Sequence, residues 1–327
     1  MSGSSVASPT IQHRLEYVAY RIVEGSLACV SWNMAQRLGR GLGFLLRILD
    51  GRHRRMVREN LRNSDLSLSD AEQRATLKAC FAHFGAMFAT SPHLLRMTPE
   101  ALASRVQFEG LEHWDAARKT GRGFVGLTGH YGNWEAMGLA LSATGRPLYI
   151  VGRMLDNPLL ANRLAALRGR FGNRIIPKAG AARESLKLLR QGECVGALLD
   201  QDALTSGVFT KFLGRWASTF QMPATLAIKY DLPVLPIFSH PEPDGTLRVR
   251  IFPPLEIPRT GDSQRDIWVA TQIMTSAIDA QIRRDPRYWF WMHNRFKTRP
   301  DDPGPPPAAS LPPREWIDAI PATTTQG

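Results

Sequence analysis

Phe124-Val125-Gly126-Leu127-Thr128-Gly129-His130-Tyr131-Gly132-Asn133-Trp134-Glu135 is the stretch that decides the fold. Its apolar run, Phe124 to Leu127, is short and bounded by glycine, as expected of a buried strand in an α/β sheet. After Gly132, Asn133 offers a helix N-cap, and Glu135 places an acid in the first turn, where the helix dipole favours negative charge. His130 is therefore predicted on a turn between strand and helix. A carboxylate in that first turn can fold back to hold one ring nitrogen, which leaves the other free to act as a base on an attacking hydroxyl. The same spacing also suits a structural histidine whose hydrogen bonds are simply satisfied.

Outward from this stretch the pattern alternates. Val106 to Phe108, Leu148 to Val151, Val195 to Leu199 and Val234 to Phe238 read as strands, with helical patterns at Leu159 to Phe171 and Arg183 to Arg190 between them. Alternation of this kind predicts an α/β class with a central, mostly parallel sheet flanked by helices, and sites gather at the carboxyl ends of such strands. His130, Arg153 and Asp200 each follow a strand by a few residues and are expected to converge on one cleft. Asp200 and Asp202 lack a further histidine or carboxylate at ligand spacing, so structural or substrate-orienting roles are expected of them rather than metal binding. No cofactor is called for.

Toward the N-terminus, Leu15, Ala19, Val23, Leu27, Val30, Met34 and Leu38 recur at helical spacing, and Leu42, Leu45, Leu46 and Leu49 extend the stripe. Arg37 to Arg62 then holds eight arginines against two acids. An apolar stripe followed by a cationic segment fits an interfacial helix on anionic lipid, and it equally fits a helix packed on the core with a solvated basic face. Only twelve uncharged residues separate Glu24 from Arg37, short of the ~20 a bilayer crossing needs. Ser69 to Glu72 resembles a capping box, with Leu77, Phe81, Phe84 and Phe88 behind it, and a short helix is predicted from Thr98-Pro99-Glu100. The organisation expected is a flexible 1–10, a helical membrane-associating region at 11–105, an α/β core at 106–299 and a proline-rich disordered tail at 300–327.

The chain has 327 residues, with 41 Lys plus Arg against 29 Asp plus Glu, a formal charge of +12. That balance suits anionic partners: nucleic acid, anionic lipid or an acidic carrier protein. Cys29, Cys80 and Cys194 are odd in number and far apart, which argues against a disulfide framework or a structural zinc site. The first ten residues do not read as a secretory signal, so a cytoplasmic chain that lies on a membrane without crossing it is expected. Gly207 to Arg215 reads as a glycine-flanked apolar loop, and Ser218-Thr219 as the cap of a helix running through Tyr230. Arg287-Tyr288-Trp289-Phe290-Trp291, followed by Arg295, Lys297 and Arg299, interleaves aromatics with cations, as in a nucleic-acid platform or a belt at lipid headgroups.

His130 through Glu135 matches the His-x-x-x-x-Asp/Glu signature of the glycerolipid acyltransferase superfamily, and its wording resembles the branch of bacterial lipid A late (lauroyl/myristoyl) acyltransferases. Gly152-Arg153 with Asn157-Pro158, Leu199 to Asp202, Phe209 to Thr219 and Trp289 to Arg299 agree in order, so the resemblance covers about residues 50 to 300. It implies an enzyme that moves a fatty acyl chain from an acyl carrier protein or coenzyme A thioester to a hydroxyl of an anionic glycolipid such as a lipid A precursor. His130 would be the general base and Glu135 its orienter. Arg153 would bind phosphate or steady charge near the reacting carbonyl, and Asn133, Asp200, Gln201, Asp202 and Arg215 would contribute to substrate binding. Backbone amides from Gly129 to Asn133 or a nearby cation would face the oxyanion. The resemblance further implies a peripheral or monotopic location on the cytoplasmic face of the bacterial inner membrane, favours a lipid belt over nucleic acid at Trp289, and puts the loop near Phe209 beside the acyl pocket. The alternatives are another acceptor, a lysophospholipid, an aminolipid or a mannosylated phosphatidylinositol, or a non-enzymatic basic protein that binds nucleic acid or membrane. No Gly-x-Ser-x-Gly elbow is present, which argues against a serine hydrolase.

Overall fold

The computed structural model describes residues 9–152, 155–177 and 179–300. The expectations placed on Arg153, on residues 1–8 and on the tail beyond residue 300 lie outside these described residues. Four helices open the chain: α1 (Ile11–Ala28), α2 (Trp32–Leu49), α3 (Gly51–Arg62) and α4 (Asp70–Leu94), followed by a short α5 (Pro99–Ala103). Strands and helices then alternate through β1 (Val106–Glu109), α6 (Leu111–Lys119), β2 (Phe124–Thr128), α7 (Trp134–Ala143), β3 (Leu148–Gly152), α8 (Pro158–Arg168), β4 (Arg174–Pro177), α9 (Ala181–Arg190) and β5 (Cys194–Leu198). A hairpin, β6 (Val208–Phe212) and β7 (Arg215–Thr219), precedes α10 (Met222–Tyr230), β8 (Val234–Pro241), β9 (Leu247–Ile251) and α11 (Ser263–Arg284).

Seven strands form the main sheet in the order β1-β9-β8-β2-β5-β3-β4. The five from β8 to β4 are parallel to one another, and β9 runs antiparallel to β8. The mostly parallel sheet is thus as expected, although β4, β9 and the hairpin were not read from the sequence. Every residue of β2 is buried, because helices cover both faces of a parallel sheet. Val125 and Leu127 pack with residues of α4, α10 and α11, whereas Phe124 packs with α6 and α7.

The N-terminal stripe is two helices rather than one. Ser31 breaks it by capping α2, its hydroxyl accepting from the amide of Met34. Helix α2 then crosses α4 backbone to backbone: a Cβ added to Gly85 would stand 2.1 Å from the carbonyl oxygen of Gly39. So close a crossing turns the apolar residues of α2 outward, and Leu38, Leu42, Phe44, Leu45, Leu46 and Leu49 are all exposed. Of the aromatic stripe on α4, Phe81 and Phe84 are core, whereas Phe88 is exposed. The capping box at Ser69 is present. Among the described residues, no helix is long and apolar enough to cross a membrane.

Two expectations near the C-terminal half are corrected. Gly207 to Arg215 belongs to the β6–β7 hairpin, turned by Leu213 and Gly214, both at positive φ as a tight hairpin requires. Ser218 and Thr219 pair within that hairpin, so they do not cap α10. The aromatic and cationic segment is likewise only in part a surface, since Arg287, Lys297 and Arg299 are exposed but its centre is not. Trp289, Trp291, Arg295 and Phe296 are buried, because this segment returns across the carboxyl end of the sheet and is covered there.

Candidate active site

Adjacent parallel strands create the site. In the β2–β5 pair Thr128 stands opposite Leu198, so residues two positions beyond each strand end meet. Those residues are His130 and Asp200. The chain leaves β2 toward β3 on one side and leaves β5 toward β8 on the other, which opens a crevice of the kind that binds ligands in α/β sheets.

Asp200 holds His130 at two points: Oδ2 accepts the His130 backbone amide at 2.6 Å, and Oδ1 meets the ring Nδ1 at 2.8 Å. Gly129 makes room for this, since a Cβ there would lie 3.0 Å from Oδ2 of Asp200. The indole of Trp289 donates a third hydrogen bond to Oδ2, at 2.8 Å. Burial alone would raise the Asp200 pKa, but the facing His130 and these donors outweigh it and hold the carboxyl down to about 2. An ionised carboxylate only accepts, so Nδ1 carries a proton, and in the neutral imidazole Nε2 is left as the acceptor. That is the tautomer a general base requires. The Trp134 and His130 rings meet in a T-shaped contact at 5.0 Å between centroids, with Phe290 at 6.4 Å, and the His130 side chain remains 19% exposed.

Glu135 lies elsewhere. Its carboxylate takes a fork of hydrogen bonds from Arg168 of α8 and one from the Trp134 indole. The expected contact between Glu135 and His130 is therefore replaced by Asp200. The cause is local: Gly132, at φ +61°, redirects the chain into α7, and the first turn of that helix faces α8 rather than the cleft.

The other expected site residues divide in two. Gln201 joins His130, its amide nitrogen 3.3 Å from Nε2. Asn133 caps α7 through the amide of Ala136. Asp202 is structural, accepting from Leu204 and Thr298, while its own amide donates to Nε2 of His293. Both Asp200 and Asp202 are thus engaged by donors within the protein. Arg215 stacks on Phe296 at 4.0 Å, on the hairpin and away from the histidine's hydrogen bonds. Of the expected backbone donors to an oxyanion, the His130 amide is taken by Asp200 and that of Gly132 by the Tyr288 carbonyl.

Sequence reasoning missed the clasp formed by residues 285–298. Its Phe290 amide donates to the His130 carbonyl, and its Arg295 is fully buried beneath the 200–202 loop, donating to the carbonyls of Gln201 and Ser218 and to the Thr219 hydroxyl. Burial pushes the Arg295 guanidinium down to about 10 against the opposing pull of Asp200 and Asp202. A tryptophan or arginine carries no mark in sequence that tells a buried strut from a surface ligand.

Beside the histidine turn lies a cavity of about 460 Å³ that reaches Asn133 and Ala136. Ala79, Ala82, Ala86 and Leu102 give it apolar lining, while Arg40, Arg105 and Arg287 add positive charge beside one acid, Glu242.

Residues 8–298 match the family described as bacterial lipid A biosynthesis acyltransferase. Similar proteins include a phosphatidylinositol mannoside acyltransferase of Mycolicibacterium smegmatis, 25% identical over 67% of this chain and 72% of its own. A lipid A biosynthesis acyltransferase of Haemophilus influenzae is 22% identical over 84% of this chain and 85% of its own. A lipid A biosynthesis lauroyltransferase of Escherichia coli is 25% identical over 81% and 86%.

Proposed function

As a member of the bacterial lipid A biosynthesis acyltransferase family this chain is an acyltransferase, and we propose that it moves a fatty acyl group from an acyl carrier protein or coenzyme A thioester to a hydroxyl of a lipid A precursor. In this reading His130 is the general base and Asp200 sets its tautomer, with Glu135 bracing α7 on α8. The observation that carries it is the double grip of Asp200 on His130, which leaves Nε2 as a lone-pair acceptor at a partly open crevice. Nε2 removes the acceptor's proton as its oxygen attacks the thioester carbonyl. The tetrahedral intermediate then expels thiolate, which recovers that proton from the imidazolium. Thiolate leaves readily, so positioning and proton removal make up most of the catalysis, and no acyl-enzyme is needed.

The cavity beside Asn133 suits a lipid, with its apolar lining for a chain and its arginines for anionic groups. The exposed leucines of α2 and the arginines that follow suit a monotopic seat on an anionic bilayer. We place the enzyme on the cytoplasmic face of the inner membrane, as the family resemblance implies. Similarity to the mycobacterial phosphatidylinositol mannoside enzyme favours one second reading, a mannosylated phosphatidylinositol acceptor. Mass spectrometry after incubation with acyl carrier protein thioester and either acceptor tests both. A gain of one acyl mass on the lipid A precursor, absent with His130→Ala, is the expected result. A gain only on the mannolipid selects the second reading, and no gain on either, with the donor thioester intact, overturns the proposal.

A further inference from the structure

We infer that Gln201 is a catalytic residue of this site, its side-chain amide donating to the thioester carbonyl oxygen as that oxygen becomes an oxyanion. The inference rests on the acyl-transfer reading above. Among the described residues, Gln201 carries the polar side chain that contacts His130 Nε2, nitrogen to nitrogen at 3.3 Å. Nε2 is also where the attacking hydroxyl must donate its proton. The carbonyl under attack therefore lies within a bond or two of the Gln201 amide.

Three of the alternative donors around the turn are spent. The His130 amide is held by Asp200, the Gly132 amide by Tyr288 and the Trp134 indole by Glu135. The backbone of Gln201, by contrast, is held still while its tip stays exposed. Arg295 donates to its carbonyl at 2.9 Å, and both neighbours are fixed: Asp200 by Trp289, Asp202 by His293 and Thr298. A buried arginine beneath an exposed amide is an arrangement that places one donor accurately, and pre-placed donors stabilise an oxyanion without reorganisation at the moment of reaction.

Before substrate arrives, the amide N–H fills the Nε2 lone pair. When a hydroxyl takes that lone pair, the amide is released, and a small side-chain rotation turns its N–H toward the carbonyl oxygen. The acceptor oxygen then bonds to carbon, the π pair moves to the oxygen facing Gln201, and the proton passes to Nε2. Collapse returns the pair, breaks the carbon–sulfur bond and hands the proton from Nε2 to sulfur. The same donor would serve when water is the acceptor, so the assay need not know the lipid.

Thiol release from a palmitoyl or lauroyl thioester, followed for wild type, Gln201→Ala, Gln201→Glu and His130→Ala, tests the inference. Gln201→Ala should lower kcat about 10²-fold with KM within a few fold and an unchanged pH profile, while folding, checked by melting temperature, is retained because the side chain is exposed. Gln201→Glu keeps the shape but removes the donor, and it should be no better than alanine. A Gln201→Ala variant within threefold of wild type, or one altered only in KM, would overturn the inference while His130→Ala inactivity left the acyl-transfer reading standing. Wild-type thiol release that persists in His130→Ala would sink that reading and this inference with it.

Discussion

Asp200 closes a ring with His130, accepting both its backbone amide and its imidazole Nδ1, at 2.6 and 2.8 Å. A carboxylate fixed at two points cannot swing away from the base. Replacing it with the isosteric asparagine side chain would be a severe test, because an amide can donate to Nδ1 and so push the proton onto Nε2. Asp200→Asn is expected to lower kcat for thioester turnover about 10³-fold or more with little change in KM or melting temperature. A loss below tenfold would remove Asp200 from the mechanism.

Glu135 and Arg168 make a largely buried pair, with side chains 11% and 19% exposed. Removing one partner leaves the other uncompensated, at a cost approaching about 3 kcal/mol. Arg168→Met should therefore lower the denaturation midpoint more than Glu135→Gln, which keeps a hydrogen-bonding end. The folded fraction of Glu135→Gln should turn over within about tenfold of wild type, in contrast to the far larger loss expected at Asp200. An equal collapse of kcat at both positions would return Glu135 to the chemistry.

Burial lowers the pKa of both His83 and His293 to about 4. His83 lies between the rings of Phe84 and Tyr288, and His293 accepts from the Asp202 amide. Both are neutral when folded, yet an unfolded histidine titrates near about 6.5. Between about pH 6.5 and 4 the unfolded state binds more protons, so stability is full above that window and falls as pH drops through it. The slope should approach about 1.4 kcal/mol per pH unit for each histidine. Urea unfolding at pH 7, 5.5 and 4.5 checks this, and His293→Gln should flatten the decline; a stability unchanged across that range would refute it.

Helix α2 offers leucines to solvent that the fold does not use, with Leu49 70% exposed and Leu42 44%. Burying one such side chain in lipid yields about 1.5–3 kcal/mol. Leu42→Glu with Leu49→Glu should weaken co-sedimentation with phosphatidylglycerol vesicles at least tenfold and leave the melting temperature unchanged. Undiminished binding would move the membrane contact off α2.

The parallel sheet was legible because strands covered on both faces are written as short apolar runs, such as Phe124 to Leu127, with helical periods between them. Strands β4 and β9 were not legible: Arg174 to Pro177 is short, and Leu247 to Ile251 interleaves its buried apolar residues with Arg248 and Arg250, which are not buried. Trp289 and Arg295 misled for another reason, since the amphipathic residues of a lipid belt are also those that fill a polar interior when each head group finds a partner.

By itself the sequence determined that His130 stands on a turn after a buried strand and that Asp200 follows another, since local period and glycine placement suffice for both. Which carboxylate serves the histidine was decided only by tertiary structure. Glu135 is near in the chain, but a helix fixes the direction of its first turn, and that turn faces Arg168. Asp200 is 70 residues away in sequence and arrives because β2 and β5 pair in parallel and in register. Strand pairing is a contact between distant segments, and the hydrogen bonds that set its register are made by backbone atoms that every residue shares.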